Sequence, residues 1–566
     1  MDITGAQLFV KTLKAEKVDT LFAYPGGQVI DLFDVLYDEQ DINIIMPRHE
    51  QGLIHAADGY ARSTGRVGVC LVTSGPGATN LVTGIATAQY DSVPLVCFTG
   101  QVASGLMGSS AFQEVDIVSI VKSITKYAVT VKRREDLADI IQKAFHIAKS
   151  GKPGVVLVDL PKDIQRAYGS REYQPLDNIP CDVPKEKADK ALDILNKAQR
   201  PLFLVGGGVN IAGAGRALTS LSELTGIPVV TTIMGRGAIP TWHKLYIGNL
   251  GIHGSYAANT AVNSCDVLLA IGTRFSDRIT GDIKAFAPSA SVIYIDIDNS
   301  GISGKITPVL NIKADALSAV NYLLKKAKPL QISAWQKQLD VWKSEKPIDM
   351  KGEGLTPKKI IDKINAVFKD GIIVTDVGQN QMWTTQFIEL DGNKKLLTSG
   401  GMGTMGYGLP AGIGAKIGNP DRDVVVISGD GGIQMNIQEI ATATANELPV
   451  IVCIMNNSSL GNVRQWQKMF YNKRYSCVCM QYRKSCGKNC AKNDCACPDY
   501  IPDFVKLAEG FGAVGVRVTN ENDIENALIM ARKNKKCPTI IEFLIDKEQD
   551  IMPIVPPGNA ISDMIL

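Results

Sequence analysis

Ser428-Gly-Asp-Gly-Gly432 ends an apolar run that starts at Val424, and a second run, Val450-Ile-Val-Cys-Ile-Met-Asn-Asn457, follows one helix-like stretch later. Such Val- and Ile-rich runs with a helical segment between them predict a strand–helix–strand unit. Asp430 and Asn457 then sit at the carboxyl ends of their strands, the edge where open α/β sheets collect ligands. A carboxylate and an amide oxygen suit Mg²⁺, a hard ion that keeps water and completes its shell with phosphate oxygens. Gly431 and Gly432 let backbone N–H groups approach a diphosphate, and the following helix offers its positive end. Taken singly, Gly-Asp-Gly is a turn and Asn-Asn a strand end. Together, at this spacing, they favour a cation and diphosphate site.

The same alternation extends outward through the chain. At 566 residues it is too long for one core and suggests about three domains. We place them at residues 1–165, 189–325 and 355–545, each a doubly wound parallel α/β sheet. In the first, Thr4 and Gln7 form a capping box and Ala6, Phe9, Val10 and Leu13 a helical stripe. Strands are expected at Thr20–Ala23, Asn43–Met46, Val67–Thr73, Val93–Thr99 and Val155–Leu160. A polar stretch with Pro175, Pro180 and Pro184 reads as a linker. The middle block runs from Pro201–Val205 into Gly206-Gly-Gly208 and adds Val267–Ile271 and Val292–Ile297; Pro329–Met350 reads as a helical connector. The third has strands at Gly371–Thr375, Val424–Ser428, Val450–Met455 and Thr539–Phe543, and the first and third blocks read as similar units.

Composition narrows the function classes. Sixty basic against 57 acidic residues leave +3, no footprint for nucleic acid or a membrane surface. The start lacks a basic segment followed by an apolar one, and no apolar run is long enough to span a bilayer. Twelve cysteines without an export signal read as reduced thiols in the cytoplasm. Five histidines weaken histidine-based hydrolase and zinc chemistry and point to a cofactor.

Met46-Pro-Arg-His-Glu50-Gln-Gly leads into a helix with Ala56, Ala57 and Gly59, where Glu50 alone reads as a first-turn glutamate complementing the dipole. Gly429-Asp-Gly431 followed by Asn456-Asn457, however, resembles the thiamine-diphosphate enzymes. That resemblance implies that Asp430, Asn457 and Ser459, the last through its carbonyl, bind Mg²⁺. It makes Gly378 and Gln379 the diphosphate-contacting turn, with Asn380 where many relatives carry His. It makes Glu50 the carboxyl that hydrogen-bonds the cofactor's aminopyrimidine, in a dry site. It gives the Gly403 carbonyl an aminopyrimidine N–H and uses Met405 to wedge the cofactor into its bent form. His49 and His55 are expected to be structural.

Tyr24-Pro-Gly-Gly27, Ala111-Phe-Gln-Glu114, Asp159-Leu-Pro-Lys-Asp163, Gly461-Asn-Val-Arg-Gln-Trp-Gln467 and the tail Pro553-Ile-Val-Pro-Pro-Gly558 are similar to acetohydroxyacid (acetolactate) synthases, nearly end to end. The resemblance implies joining of 2-oxo acids: pyruvate is decarboxylated and its two-carbon remainder condensed with pyruvate or 2-oxobutyrate. This is the first common step of branched-chain amino-acid biosynthesis. Gly27 would donate to the reacting oxygen, Gln113 lie near the cofactor, Phe112 and Lys162 line the approach, and Trp466 shape the pocket. From the residues alone, Phe112 and Trp466 are packing aromatics and Lys162 a solvated charge. A homodimer or dimer of dimers is implied, with the cofactor between the first domain of one subunit and the third of another, and a small regulatory subunit is a further candidate partner. A catabolic acetolactate synthase and a pyruvate oxidase-like enzyme stand as alternatives.

FAD is implied by Leu250-Gly-Ile-His-Gly254, Gly272-Thr-Arg-Phe-Ser-Asp-Arg278 and the strand end Asp296, with Arg274, Asp296 and Lys152 as contacts. Gly206-Gly-Gly208 is by itself a weak dinucleotide signal, and Lys152 replaces an Arg that the family usually carries. The stretch 477–497 carries six cysteines, a Cys-rich insert that the family lacks, open to metal binding, redox response or a plain loop.

Overall fold

The structure, a computed structural model, describes residues 2–170, 183–302, 306–350, 352–481 and 502–566. The chain builds three six-stranded sheets in which every strand pair is parallel, plus a two-residue antiparallel pair, Ile3–Thr4 with Tyr168–Gly169. The first sheet comprises β1 (Thr20–Ala23), β2 (Asn43–Ile45), β3 (Gly68–Val72), β4 (Leu95–Gln101), β5 (Tyr127–Thr130) and β6 (Val155–Pro161). The middle one has β7 (Pro201–Val205), β8 (Val229–Thr231), β9 (Tyr246–Asn249), β10 (Val267–Ile271), β11 (Ser291–Asp296) and β12 (Leu310–Lys313). The third has β13 (Ile372–Thr375), β14 (Lys395–Leu397), β15 (Val424–Gly429), β16 (Ile451–Asn456), β17 (Val514–Val518) and β18 (Thr539–Leu544).

Parallel strands covered by helices on both faces must be apolar throughout. In β4 and β6 every residue is buried, with Phe98 and Val158 facing one helical layer and Cys97 and Leu157 the other. The third sheet repeats this, Ile427 and Cys453 on one face and Val426 and Val452 on the other.

Strand order carries the main positional information. The first sheet runs β2-β1-β3-β4-β6-β5 and the third β14-β13-β15-β16-β18-β17, the same order. The middle sheet runs β9-β8-β7-β10-β11-β12, the doubly wound order of dinucleotide-binding folds, with its switch point between β7 and β10. There Gly208 and Gly272 meet so closely that a Cβ on Gly208 would lie 2.7 Å from the Gly272 Cα.

The first and third units pack through two helices, α1 (Glu50–Thr64) and α2 (Gly408–Gly418), each placed between the second and third strands of its own sheet. A Cβ on Gly59 would fall 2.0 Å from the Ala411 carbonyl oxygen, so only glycine permits this approach. The segment beyond β18 crosses to the middle unit, where Val555 donates to Ile252 and the Asn259 amide to Ile561. The expected connector contains the helix Ser333–Glu345, and its Trp335 indole donates to the Pro201 carbonyl at 3.1 Å. The Thr4–Gln7 capping box forms, and its stripe of Ala6, Phe9, Val10 and Leu13 is buried.

Candidate functional site

β13 and β15 flank the switch point of the third sheet, and the loops leaving their carboxyl ends carry Gly378-Gln379 and Asp430. β16, beside β15, delivers Asn457 and Ser459 to the same edge. Asp430, Asn457 and Ser459 are all buried. The Asn457 amide donates to Gln379 Oε1 at 3.0 Å, and its oxygen accepts from the Ser459 N–H at 3.2 Å. Gln379 donates in turn to Gln465 at 3.1 Å, on the helix that carries Trp466.

Asp430 Oδ2 is buried with no hydrogen-bond partner. Burial pushes its carboxyl up to about 7, against the opposing pull of N–H groups at Asp430, Gly431 and Ser459. An orphaned carboxylate oxygen beside an amide and a backbone carbonyl is the donor set a hard divalent cation takes. Among the described residues no cluster of three or more His, Cys, Asp or Glu forms an alternative metal site. The helix after Asp430 is only five residues long, Asp430–Gln434, so its dipole adds less than a long helix would.

Asn380 is buried, and its amide spends both hydrogens on the Asp376 and Ile427 carbonyls at 3.0 Å. No donor of that amide remains for a phosphate.

Two carboxylates that sequence reasoning missed shape this region. Asp376 is buried and accepts from the N–H groups of Gly406, Gly408 and Val377, and so holds the turn carrying Gly403 and Met405. The Met405 methyl group reaches within 3.6 Å of where a Cβ on Gly431 would stand. Glu439, buried in the third unit, accepts from the N–H groups of Arg48 and His49 at 3.0–3.1 Å, anchoring the turn just before Glu50. Their partners lie far off in sequence, and a lone Asp or Glu carries no local signal.

Glu50 opens α1, half-buried, and its Oε2 accepts from the Asn80 amide at 2.9 Å. His49 caps the same helix by accepting from the Gln51 N–H at 3.0 Å. Lys162 donates to the Gly27 carbonyl at 2.6 Å, bringing these two candidates together. Gln113, at φ +61°, packs on Gly75, and Phe112 is 85% exposed on the single chain.

A cavity of about 1820 Å³ opens between the middle unit and the other two. Arg274, Asp296 and Lys152 all line it, with Gly207, Gly208, Gly403 and Trp466. Burial raises the Asp296 carboxyl, and the nearby Lys152 charge opposes that. Lys152 itself donates to Ser300 at 2.8 Å, and Arg274 lies over the Tyr90 ring, 5.9 Å from its centre. Cys477 and Cys479 of the insert are exposed free thiols flanking the buried Val478, while Cys486, Cys490, Cys495 and Cys497 lie outside the described residues. Cys479 forms an antiparallel bridge with Ser459.

Family models match in three consecutive segments: the N-terminal TPP binding domain of thiamine pyrophosphate enzymes over residues 3–120, their central domain over 188–323, and their C-terminal TPP binding domain over 376–543. The acetolactate synthase large subunit of Corynebacterium glutamicum is 42% identical across 99% of this chain and 90% of its own length. A probable acetolactate synthase large subunit of Methanocaldococcus jannaschii is 41% identical across 99% and 95%. The isozyme 3 large subunit of Escherichia coli is 39% identical across 100% and 98%. This chain belongs to the thiamine pyrophosphate enzymes, in the family of acetolactate synthase large subunits.

Proposed function

We infer that this chain decarboxylates pyruvate and joins the two-carbon remainder to a second pyruvate or to 2-oxobutyrate, using thiamine diphosphate. The observation that carries the inference is the orphaned, buried oxygen of Asp430 beside Asn457 and Ser459, at the carboxyl-end edge of the third sheet and inside the segment matched by the family's C-terminal TPP binding domain. Those three residues would hold Mg²⁺, and Gly378, Gln379, Gly431 and Gly432 would offer donors to the diphosphate. Bound there, thiamine diphosphate supplies the electron sink for decarboxylation.

The chain's own residues do the rest. Glu50, kept in place by Asn80 and by the Glu439-anchored turn, would hold and exchange a proton at the aminopyrimidine. The Gly403 carbonyl would accept that ring's N–H, and Met405 would hold the bound cofactor in place. Gly27 would donate to the reacting oxygen and Gln113 lie near the cofactor, Lys162 and Phe112 would line the approach of the 2-oxo acid, and Trp466 would bound the acceptor's space and exclude water. The family resemblance implies a cofactor held between the first unit of one subunit and the third unit of another, so we propose that a second subunit completes the site and that a dimer is the working form.

FAD fits the middle cavity: its sheet has the dinucleotide-binding order, and Arg274 and Lys152 supply positive charge beside Asp296. A cytoplasmic site and a small regulatory partner complete the proposal; among the described residues no helix is long and apolar enough to cross a membrane.

Product analysis with pyruvate, with and without 2-oxobutyrate, thiamine diphosphate, Mg²⁺ and FAD, tests the function. Acetolactate dependent on thiamine diphosphate is expected; acetyl phosphate or acetate instead would assign a pyruvate oxidase type. Flavin absorbance in the supernatant of denatured holoprotein checks FAD.

A further inference from the structure

The turn Ser399–Tyr407 presents Gly403 and Met405, and three separate contacts pin it. At its far end Asp376 gathers the Gly406 and Gly408 N–H groups. At its middle the Thr404 and Thr87 hydroxyls meet at 2.7 Å. At its start Asp91, only 8% exposed, accepts from Gly400 at 3.0 Å and from Gly401 at 2.8 Å.

Asp91 and Thr87 belong to the first unit and the turn to the third, so a group outside the third sheet sets the turn's position. Asp91 is also ion-paired to Arg62 at 2.9 Å, and Arg62 is held by Asp58 at 2.6 Å and by the Thr398 carbonyl at 3.0 Å. Tyr407, closing the turn, donates to the same Asp58 at 2.6 Å. The clamp therefore grips residues on both sides of the turn. It also reaches the large cavity: a Cβ on Gly401 would lie 2.8 Å from Asp91 Oδ1 and 3.0 Å from Arg274 Nη2. Arg62, Asp91, Arg274 and Gly401 all line that cavity.

We propose that Asp91 is a positioning residue that fixes the Gly403–Met405 turn for thiamine diphosphate and joins it to the dinucleotide-type cavity, which Asp91, Gly401 and Arg274 all line. The proposal rests on the functional reading above. The carboxylate takes two N–H groups and a guanidinium, while an amide at this place would offer one oxygen and turn a donor toward donors. A buried charge-assisted bond lost in this way costs about 1.5–3 kcal/mol, which is about 10–100-fold in an equilibrium.

The test uses full-length protein carrying Asp91→Asn, with thiamine diphosphate titrated at saturating Mg²⁺, with and without FAD. The half-saturating thiamine diphosphate concentration is expected to rise about 10–100-fold, with kcat at saturation within about threefold of the parent. FAD affinity, read from flavin fluorescence quenching, is expected to fall as well. Asp91→Glu, which restores the charge, should recover part of both losses. An unchanged half-saturation overturns the proposal, as does a kcat loss with no shift in cofactor requirement. Should Asp91→Asn fail to fold, Thr87→Val tests the clamp through Thr404, with the same shift expected at smaller size and no shift counting against it. Failure of the parent protein to bind thiamine diphosphate would refute the functional reading instead, leaving the two outcomes distinct.

Discussion

Gly414 and Ala56 touch backbone to backbone: a Cβ on Gly414 would lie 1.7 Å from the Ala56 carbonyl oxygen. Gly59 meets Ala411 in the same way at 2.0 Å, so Ala56 and Gly59 of α1 cross Ala411 and Gly414 of α2 reciprocally. The two helices hold equivalent places in sheets of equal strand order, and their crossing marks an approximate two-fold relation between the outer units. α1 begins at Glu50 and α2 follows Met405, so this contact fixes how the two units of one chain are held and where each presents its candidate residue.

Gly59→Ala and Gly414→Ala should each drive the helices apart and lower stability by about 1–3 kcal/mol, the usual cost of overpacking. Cofactor affinity should fall with them. Gly105→Ala is the control, because nothing lies within 4 Å of its added carbon. Urea denaturation midpoints measure the difference.

Glu50→Gln preserves size and keeps an oxygen for Asn80 but removes the ionisable group. The rate of acetolactate formation should drop about 10²–10⁴-fold, while thiamine diphosphate still binds. Steady-state turnover and a direct binding titration separate the two. A rate near that of the parent would remove Glu50 from the proton-handling role.

Asp430→Asn should separate function from stability. The Asp430 carboxyl is pushed up to about 7 by burial, so in the metal-free protein its ionisation opposes folding. That penalty is absent in acid, grows as pH rises past the ordinary carboxylate range, and is complete above about pH 7. Without Mg²⁺ in mild alkali the variant should melt a few degrees above the parent, and the gap should close in acid. Mg²⁺ with thiamine diphosphate should stabilise the parent and leave the variant unmoved. Thermal melts in the four combinations decide this.

His55 lies fully buried against the edge of the Tyr407 ring, and neither ring nitrogen has a partner. Burial, aided by the Arg62 charge, holds it down to about 3, so it is neutral in the fold and charges on unfolding. The unfolded state therefore binds more protons below about pH 6.5, and acid costs stability through this residue. His55→Phe should remove that loss, gaining on the parent by about 1.4 kcal/mol for each pH unit below 6.5. Denaturation midpoints from neutral pH down to about pH 5 show the slope directly.

Much of the fold was legible because interior parallel strands are covered on both faces and so read as unbroken apolar runs. Val155–Leu160 was expected and Val155–Pro161 is found, and Pro201–Val205 and Val267–Ile271 agree at both ends. The strands that escaped notice are mainly edge strands. Tyr127–Thr130 is half-buried throughout, Val514–Val518 nearly so, and Lys395–Leu397 has only three residues. Asp430 and Asn457 were legible because their flanking glycines and strand ends form a local pattern. Asp91, Asp376 and Glu439 were not, since each acts on N–H groups of another segment; Gly400 is 309 residues from Asp91.

The bridge between Ser459 and Cys479 has one more consequence. The Leu460 N–H reaches Val478 and the Met480 N–H reaches Ser458, so the chain is tied down through Met480 on the loop that carries the candidate cation ligands. It is tied again at the helix Phe504–Gly510, whose cap is Asp503. Any pull on the chain beyond Met480 would therefore be met by this pair of backbone bonds before it reached Asn457 and Ser459.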